Sequence, residues 1–422
     1  MERFGLDFGT TNTALAHARD DGAAALVPLD PRAPDPRVLR SLLYYAIERR
    51  GFVVGQDAID AYLAEDMEGT LIQSIKTFLG EASFEDTFVV DRRWRLEDLV
   101  AVLFRPVRAA MARTAADPAA ARVVVGRPAV YVHRPEREAL ARDRVRKAAA
   151  LAGLPPVAFL YEPIAAGLAY EASLDHREVA VIADLGGGTS DFTVMRLGGR
   201  RGGDRRDDIL ATGGVQIGGD TFDARIVWAK LARHFGGGST YRSMEGRTLP
   251  FPAHVIERLG HWHEIPFLRT PRTRELLARV RATASDRGAI DRLQELLDGN
   301  YAFFLFEEIE RAKSRLSVAD DATIAFHMGA IHLDERLTRA EFERLIAPEL
   351  DRVWERLHAV LAEAGVVPEG VDAVFATGGS AQIPVVQRRL AETFGADRLR
   401  SEDWLTTVAA GLALAGDAAS GG

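Results

Sequence analysis

Cysteine is absent from all 422 residues. That excludes disulfides, thiolate metal sites, iron–sulfur clusters and cysteine nucleophiles. Lysine is almost absent too. Lys76, Lys147, Lys230 and Lys313 are the only ones, and arginine carries the rest of the positive charge. Each lysine therefore has more diagnostic interest than usual. No run approaches the roughly 20 apolar residues that span a bilayer. The start, Met1-Glu2-Arg3-Phe4-Gly5-Leu6-Asp7, lacks the apolar stretch of a signal peptide. A positive field is also missing: 61 acidic against 53 basic residues leave a formal charge of -8. Nonspecific nucleic-acid binders need concentrated positive charge. The expectation is a cytoplasmic protein with no nucleic-acid or membrane partner.

Several familiar catalytic motifs are absent as well. Gly186-Gly187-Gly188 is not followed by the Gly-Lys-Ser/Thr of a P-loop. It runs into Thr189-Ser190-Asp191-Phe192, which reads as a strand, so the dinucleotide fingerprint is poor. No His-Glu-x-x-His and no Gly-x-Ser-x-Gly occurs. His261 and His263 flank Trp262, with His254 nearby, and read as surface residues.

What is present is organised. An apolar fraction of 47% excludes general disorder, and the length suggests roughly two to four domains or subdomains. Phe4, Leu6 and Phe8 alternate with Gly5 and Asp7, which predicts a strand. Gly9-Thr10-Thr11-Asn12 turns the chain into a second apolar run. Short strands are expected near 41–45 and 52–54, and helices over 56–66 and 94–116. A strand at 122–125 closes on Gly126-Arg127-Pro128, and Pro135 opens a charged helix ending near Gly153. Its run Arg142-Asp143-Arg144-Val145-Arg146-Lys147 reads as a solvated face. A strand at 158–161 precedes Glu162-Pro163 and an alanine- and glycine-rich helix. Residues 236–275 look irregular, and 273–316 helical. A helix near 338–364, a strand at 371–375, a helix after Pro384 and one over 402–415 complete the chain.

The strand Val179–Ala183 then repeats the opening design. Asp184-Leu185-Gly186-Gly187-Gly188 matches Asp7-Phe8-Gly9-Thr10-Thr11: apolar strand, aspartate, glycine turn, apolar strand. This duplication predicts two related α/β lobes, each presenting a turn to a shared cleft. Glycine turns let backbone N–H groups converge on an anion, and Thr10, Thr11 and Thr189 add hydroxyl donors. An aspartate beside such a turn does not favour a bare phosphate. It makes sense with a divalent cation between them, so Asp7 and Asp184 read as magnesium-side residues.

Taken together, these motifs resemble the 70-kDa heat-shock protein family of the actin-like ATPase superfamily. The first phosphate motif is Gly5-Leu6-Asp7-Phe8-Gly9-Thr10-Thr11-Asn12-Thr13, and the second is Asp184 to Asp191. Tyr161-Glu162-Pro163-Ile164-Ala165-Ala166-Gly167 is similar to the connecting motif. Gly218-Gly219-Asp220-Thr221-Phe222-Asp223, Glu310 to Ser317 and Ala376 to Pro384 follow in family order. The short YegD-like branch is the closest likeness, through Ser74 to Gly80, Gly126-Arg127-Pro128 and the insertion near 236–300.

The resemblance implies an actin-like ATPase fold of two duplicated α/β lobes around a nucleotide cleft. Lobe I would cover 1–175, with a smaller subdomain about 38–95. Lobe II would cover 176–422, with a divergent subdomain about 221–309 and no peptide-binding domain. ATP or ADP and Mg2+ are the implied cofactors. Asp7 and Asp184 would hold the magnesium through water. Gly9, Thr10, Thr11, Asn12, Gly186, Gly187 and Gly188 would wrap the phosphates. Glu162, Asp184 and Thr189 would be catalytic, with Asp191 close by. Gly218, Gly219, Glu310, Lys313, Ser317, Gly378 and Gly379 would line the nucleoside. Pro128 and Arg142 would couple nucleotide state to lobe motion. A client or exchange-factor protein is the implied partner.

Three departures qualify this. Family chaperones carry a lysine after Val-Gly-Gln-x-Ala, but Ile59 follows Val54-Gly55-Gln56-Asp57-Ala58 here, and Lys76, in a later motif, need not substitute. Ser314 and Gln382 replace the adenine-sandwiching arginines, and Leu405 an aspartate. Hydrolysis is expected to be slow and adenine selectivity loose. A non-hydrolysing nucleotide sensor and a small-molecule kinase stay open as alternatives.

Overall fold

The computed structural model describes residues 2–19, 23–65, 69–90, 92–128, 135–171, 174–198, 205–400 and 404–415. Alternation along the first strand sets its frame. β1 (Arg3–Phe8) buries Phe4, Leu6 and Phe8 on one face and turns Gly5 and Asp7 to the other. β2 (Asn12–Ala18) returns antiparallel and pairs with β3 (Ala24–Leu26) and β4 (Val38–Arg40). A small sheet of β5 (Leu42–Ala46), β6 (Gly51–Val54) and β7 (Thr70–Gln73) carries α1 (Gly55–Ala64). A hairpin, β8 (Asp86–Val89) and β9 (Arg92–Arg95), leads into α2 (Leu96–Thr114). β10 (Arg122–Arg127), α3 (Pro135–Leu151), β11 (Val157–Tyr161) and α4 (Glu162–Glu171) complete the first lobe.

The second lobe opens with β12 (Glu178–Leu185), β13 (Ser190–Leu197), β14 (Ile209–Val215) and α5 (Gly219–Ile226). The hairpin β15 (Thr240–Arg242) and β16 (Thr248–Pro250) follows, then α6 (Ala253–Leu259), α7 (Pro271–Thr283), α8 (Arg287–Asp298) and α9 (Ala302–Leu316). Next come the hairpin β17 (Asp321–Met328) and β18 (Ile331–Thr338), then α10 (Arg339–Glu363). β19 (Ala373–Thr377), α11 (Pro384–Phe394) and β20 (Leu399–Arg400) end it, and α12 (Trp404–Leu414) returns to the first sheet.

The duplication is explicit in the topology. The first sheet runs β11-β10-β1-β2-β3 and the second β20-β19-β12-β13-β14. In both, an antiparallel hairpin is followed by two strands parallel to its first strand. Between the sheets, α4 and α12 cross. α12 lies on β1, β2 and β3, and α4 touches β10, β11 and β13. Val124, Ile164, Ile182, Leu197, Phe375 and Leu412 belong to one apolar core that joins both sheets to the two helices. Among the described residues, no helix is long and apolar enough to cross a membrane.

Two expectations are corrected. The stretch 236–275 is not irregular, because it holds β15, β16 and α6 and the start of α7. Its prolines sit at element ends: Pro250 on a strand edge, Pro252 at a helix cap and Pro271 in a first turn. The basic run of α3 is not simply a solvated face. Arg144 is buried, because four backbone carbonyls turn toward it.

Candidate functional site

Both hairpins turn through the same four-residue loop. Gly9 N–H donates to the Asn12 carbonyl at 2.9 Å, and Gly186 N–H donates to the Thr189 carbonyl at 2.9 Å. In each, the aspartate stands two residues before the first glycine. The turns face one another: a Cβ placed on Gly187 would lie 3.8 Å from Thr11 Oγ1. The second turn is braced from behind. Gly219 N–H donates to Gly186 O at 3.1 Å and Asp220 N–H to Gly187 O at 2.7 Å. Ser380 Oγ donates to Gly186 O at 3.1 Å. Gly218 and Gly219 are thus buried against this turn, whereas Gly378 is half-buried and Gly379 exposed.

Between the turns lies a group of carboxylates. Asp184 is the register partner of Asp191 across β12 and β13, and Thr189 Oγ1 donates to Asp191 Oδ2 at 2.7 Å. Glu162 is the first residue of α4. Gly126 on β10 gives it room, because a Cβ there would come within 2.9 Å of Glu162 Cγ. Burial, then the Glu162 charge, push Asp7 up to about 7, with Lys76 opposing. Asp184 is exposed at the end of β12. Desolvation of its carboxylate, then the Asp191 and Glu162 charges, raise it to about 7. Burial raises Asp191 to about 6, partly offset by Thr189. Burial alone would lower Lys76, but Glu162, Asp7 and Asp184 outweigh it and its pKa rises.

This chemistry fits a divalent cation. Mutually repelling carboxylates are stabilised when one is bound. Among the described residues, no three acidic or histidine side chains are grouped closely enough to hold an ion directly. A water-mediated ion such as magnesium, which dehydrates reluctantly, suits that spacing.

α9 carries Glu310 and Lys313 in its last turns, and Ser317 caps its end. Lys313 Nζ stands 2.8 Å from Asp223 Oδ1 and 2.7 Å from Glu310 Oε2. Of this pair, Glu310 is exposed and Lys313 is buried. Burial opposes the Lys313 charge, and the two carboxylates more than restore it. Burial brings Asp223 to about 7 against the pull of Lys313. Ser314 and Gln382 are both exposed.

At the strand exit, Pro128 is half-buried after β10, and Arg142 is half-buried on α3. Arg127, just before the proline, pairs with buried Glu138 and stacks 3.8 Å over the Tyr161 ring. Tyr161 O–H donates to Glu138 at 3.3 Å. A buried chain therefore joins the Pro128 exit to the residue before Glu162. Sequence reasoning missed this chain, Gly126 and Ser380, and it set Lys76 aside. The rarity of lysine was the one signal for Lys76. Of the histidines, His254 is exposed and His261 packs edge-on to Trp228. The side chains of His263 and Leu405 lie outside the described residues.

Comparison with known proteins agrees with this geometry. The family model described as Hsp70 protein matches residues 91–237 and 295–422. Chaperone protein HscA of Escherichia coli O17:K52:H18 (strain UMN026) is 29% identical over 433 aligned positions, covering 98% of this chain and 57% of its own. Chaperone protein HscA of Escherichia coli O139:H28 (strain E24377A) and of strain K12 / DH10B give the same 29%, 98% and 57%. The chain thus spans 57% of the length of these curated relatives. With the duplicated lobes, paired turns and a family match over most of its length, the chain belongs to the Hsp70 protein family and has its actin-like α/β fold.

Proposed function

We propose that the protein binds magnesium-ATP between its lobes and hydrolyses it slowly. The cycle of opening and closing would serve a client or exchange-factor protein. The observation that carries this reading is the pair of equivalent turns facing each other over Asp7, Asp184 and Glu162. Thr10, Thr11 and the backbone of Gly186 to Gly188 bind the phosphates. Asp7 and Asp184 would hold magnesium through its waters, and the ion would supply charge to neutralise the phosphates. Glu162 orients the attacking water. The water oxygen bonds to the terminal phosphorus, and the bond from that phosphorus to the bridging oxygen breaks. The electron pair leaves on ADP, and the water's proton passes to Glu162 and on to solvent. Thr189 and Asp191 hold the rim of the turn in place.

Exposed Ser314 and Gln382 supply no guanidinium to sandwich a base, so base selectivity is loose. The relatives are named chaperones, which supports a protein client over an alcohol acceptor. Phosphate release from ATP by purified protein, with and without magnesium, tests the reading. Magnesium-dependent release should be lost in Asp184→Asn and Glu162→Ala. Release equal to that of the variants, with ATP binding verified in the same sample, would remove intrinsic hydrolysis and leave a nucleotide sensor.

A further inference from the structure

The hairpin of β17 and β18 carries two histidines with no role in the chemistry above. Its turn, Gly329-Ala330, holds Gly329 at φ 56°, and Ala330 N–H donates to Glu295 Oε1 of α8 at 2.6 Å. A two-residue turn fixes the register of its strands, so His327 stands directly opposite His332. One face of the hairpin is apolar: Ile324, Phe326, Leu333 and Leu337 are buried in the core of the second lobe. Alternation therefore turns both histidines outward, where they are exposed. Side chains directly opposed on one face of an antiparallel pair stand close enough to share a ligand.

The nitrogens of the pair have the spacing of a coordination site. His327 Nδ1 and His332 Nδ1 are 3.3 Å apart. Two nitrogens bound to one tetrahedral ion at about 2.0–2.1 Å each are about 3.3–3.4 Å apart. The other nitrogen of His327 is already committed, because Nε2 donates to Asp334 Oδ1 at 3.0 Å. With the proton on Nε2, the neutral ring of His327 keeps a lone pair on Nδ1, on the side of His332. A carboxylate on the far nitrogen of a histidine is the arrangement that orients and strengthens a metal ligand. Arg336, two residues beyond Asp334, pairs with Asp321 at 3.1 Å rather than with Asp334.

We propose that His327 and His332 bind one divalent transition-metal ion of the zinc class through their Nδ1 atoms, with Asp334 as the positioning residue. Imidazole suits such ions, whereas magnesium and calcium prefer oxygen. The site is therefore chemically separate from the carboxylates of the cleft, and it does not rest on the nucleotide reading. In the metal-free pair, His332 Nδ1–H donates to His327 Nδ1. When an ion enters, that proton exchanges through solvent to His332 Nε2, and both Nδ1 lone pairs face the metal. Two protein ligands leave two tetrahedral positions for water, so binding is reversible and the ion stays open to a further ligand. The bound ion ties β17 to β18 beside their turn.

Calorimetric titration of zinc chloride into the chelator-treated full chain tests this, with excess magnesium present to occupy the cleft carboxylates. Wild-type protein should take up one zinc ion at micromolar concentration. His327→Gln and His332→Gln should each remove that event, and Asp334→Asn should weaken it about tenfold. All three side chains are exposed and the apolar face is untouched, so each variant should fold, which circular dichroism checks. In long-range proton–nitrogen NMR spectra, zinc should shift Nδ1 of both rings while Nε2 of His327 keeps its proton. Zinc uptake unchanged in both histidine variants would place the ion elsewhere and overturn the assignment, as would wild-type protein that takes up no zinc. Uptake by Asp334→Asn as tight as that of wild type would overturn the positioning role of Asp334.

Discussion

The two hairpins that close on the cleft share a frame and differ in what covers them. Register pairs Asp7 with Ala14 in the first and Asp184 with Asp191 in the second. On that face the first hairpin carries Gly5, Ala14, Ala16 and Ala18, and the second carries Ile182, Asp191, Thr193 and Met195 at the matching positions. Small residues let α12 lie directly on the first sheet, with Ala409 and Ala413 against Ala14, Ala16 and Ala18. On the second, Met195 and Leu197 pack with Ile164 and Ala166 of α4 farther along the strand. The Asp191 end is left beside the cleft, bonded to Thr189. One ancestral design therefore serves two ends. The first hairpin is a docking surface for α12, and the second leaves its Asp191 end uncovered by that helix.

The largest test of this contrast is in stability. A Cβ on Gly5 would come within 2.2 Å of the Ala409 carbonyl and 2.3 Å of the Ala413 nitrogen, both backbone atoms that cannot swing aside. Gly5→Ala should cost about 3 kcal/mol by overpacking. Ile182→Ala, which removes three carbons from the second hairpin, should cost a similar amount by leaving a cavity. Urea unfolding of both variants reads the two values. A loss below about 1 kcal/mol for Gly5→Ala would mean that α12 is not seated on the first sheet as tightly as the geometry indicates.

Exchanging the differing pair sharpens the comparison next. Ala14→Asp buries a charge near α12 and should lower stability by about 2 kcal/mol. Asp191→Ala should fold normally, because it relieves repulsion at Asp184. It also removes the acceptor of Thr189, so single-turnover hydrolysis should slow about tenfold, the equivalent of about 1.4 kcal/mol in the barrier. Unimpaired turnover in Asp191→Ala would mean that the second hairpin owes nothing of its chemistry to this carboxylate.

Much of this was legible in the sequence, and the reason is local. Asp7-Phe8-Gly9 and Asp184-Leu185-Gly186 announce a turn because strand alternation and glycine act over neighbouring residues. The β17–β18 hairpin was equally legible, since Asp321-Ala322-Thr323-Ile324-Ala325-Phe326 alternates exposed and buried positions, but it was passed over. The β8–β9 hairpin was not legible: Phe88 and Val90 are exposed and Arg92 and Arg93 dominate its return strand, so no apolar face marks it. At the site, the residues missed act over long separations. Lys76 reaches Glu162 across 86 positions, and Ser380 braces Gly186 across 194. Gly126 matters only because Glu162 crosses it. No periodicity encodes such contacts.

The smallest expected effect is in pH, and it also separates the hairpins. Without magnesium, Asp7 and Asp184 both lie near 7 in the folded protein, above the 3.8 of an unhindered aspartate. Between about pH 4 and 7 the folded state therefore holds protons that the unfolded chain releases. A raised carboxylate pKa favours the folded state fully below the unfolded value, and that contribution is lost as pH rises through the folded one. The melting temperature of chelator-treated protein should fall as pH rises across this window, and added magnesium should flatten the fall. Asp184 faces Asp191, whereas Asp7 faces Ala14. Asp184→Asn should consequently flatten the profile more than Asp7→Asn does. The reverse order would place the stronger repulsion in the first hairpin and overturn its reading as the docking half of the pair.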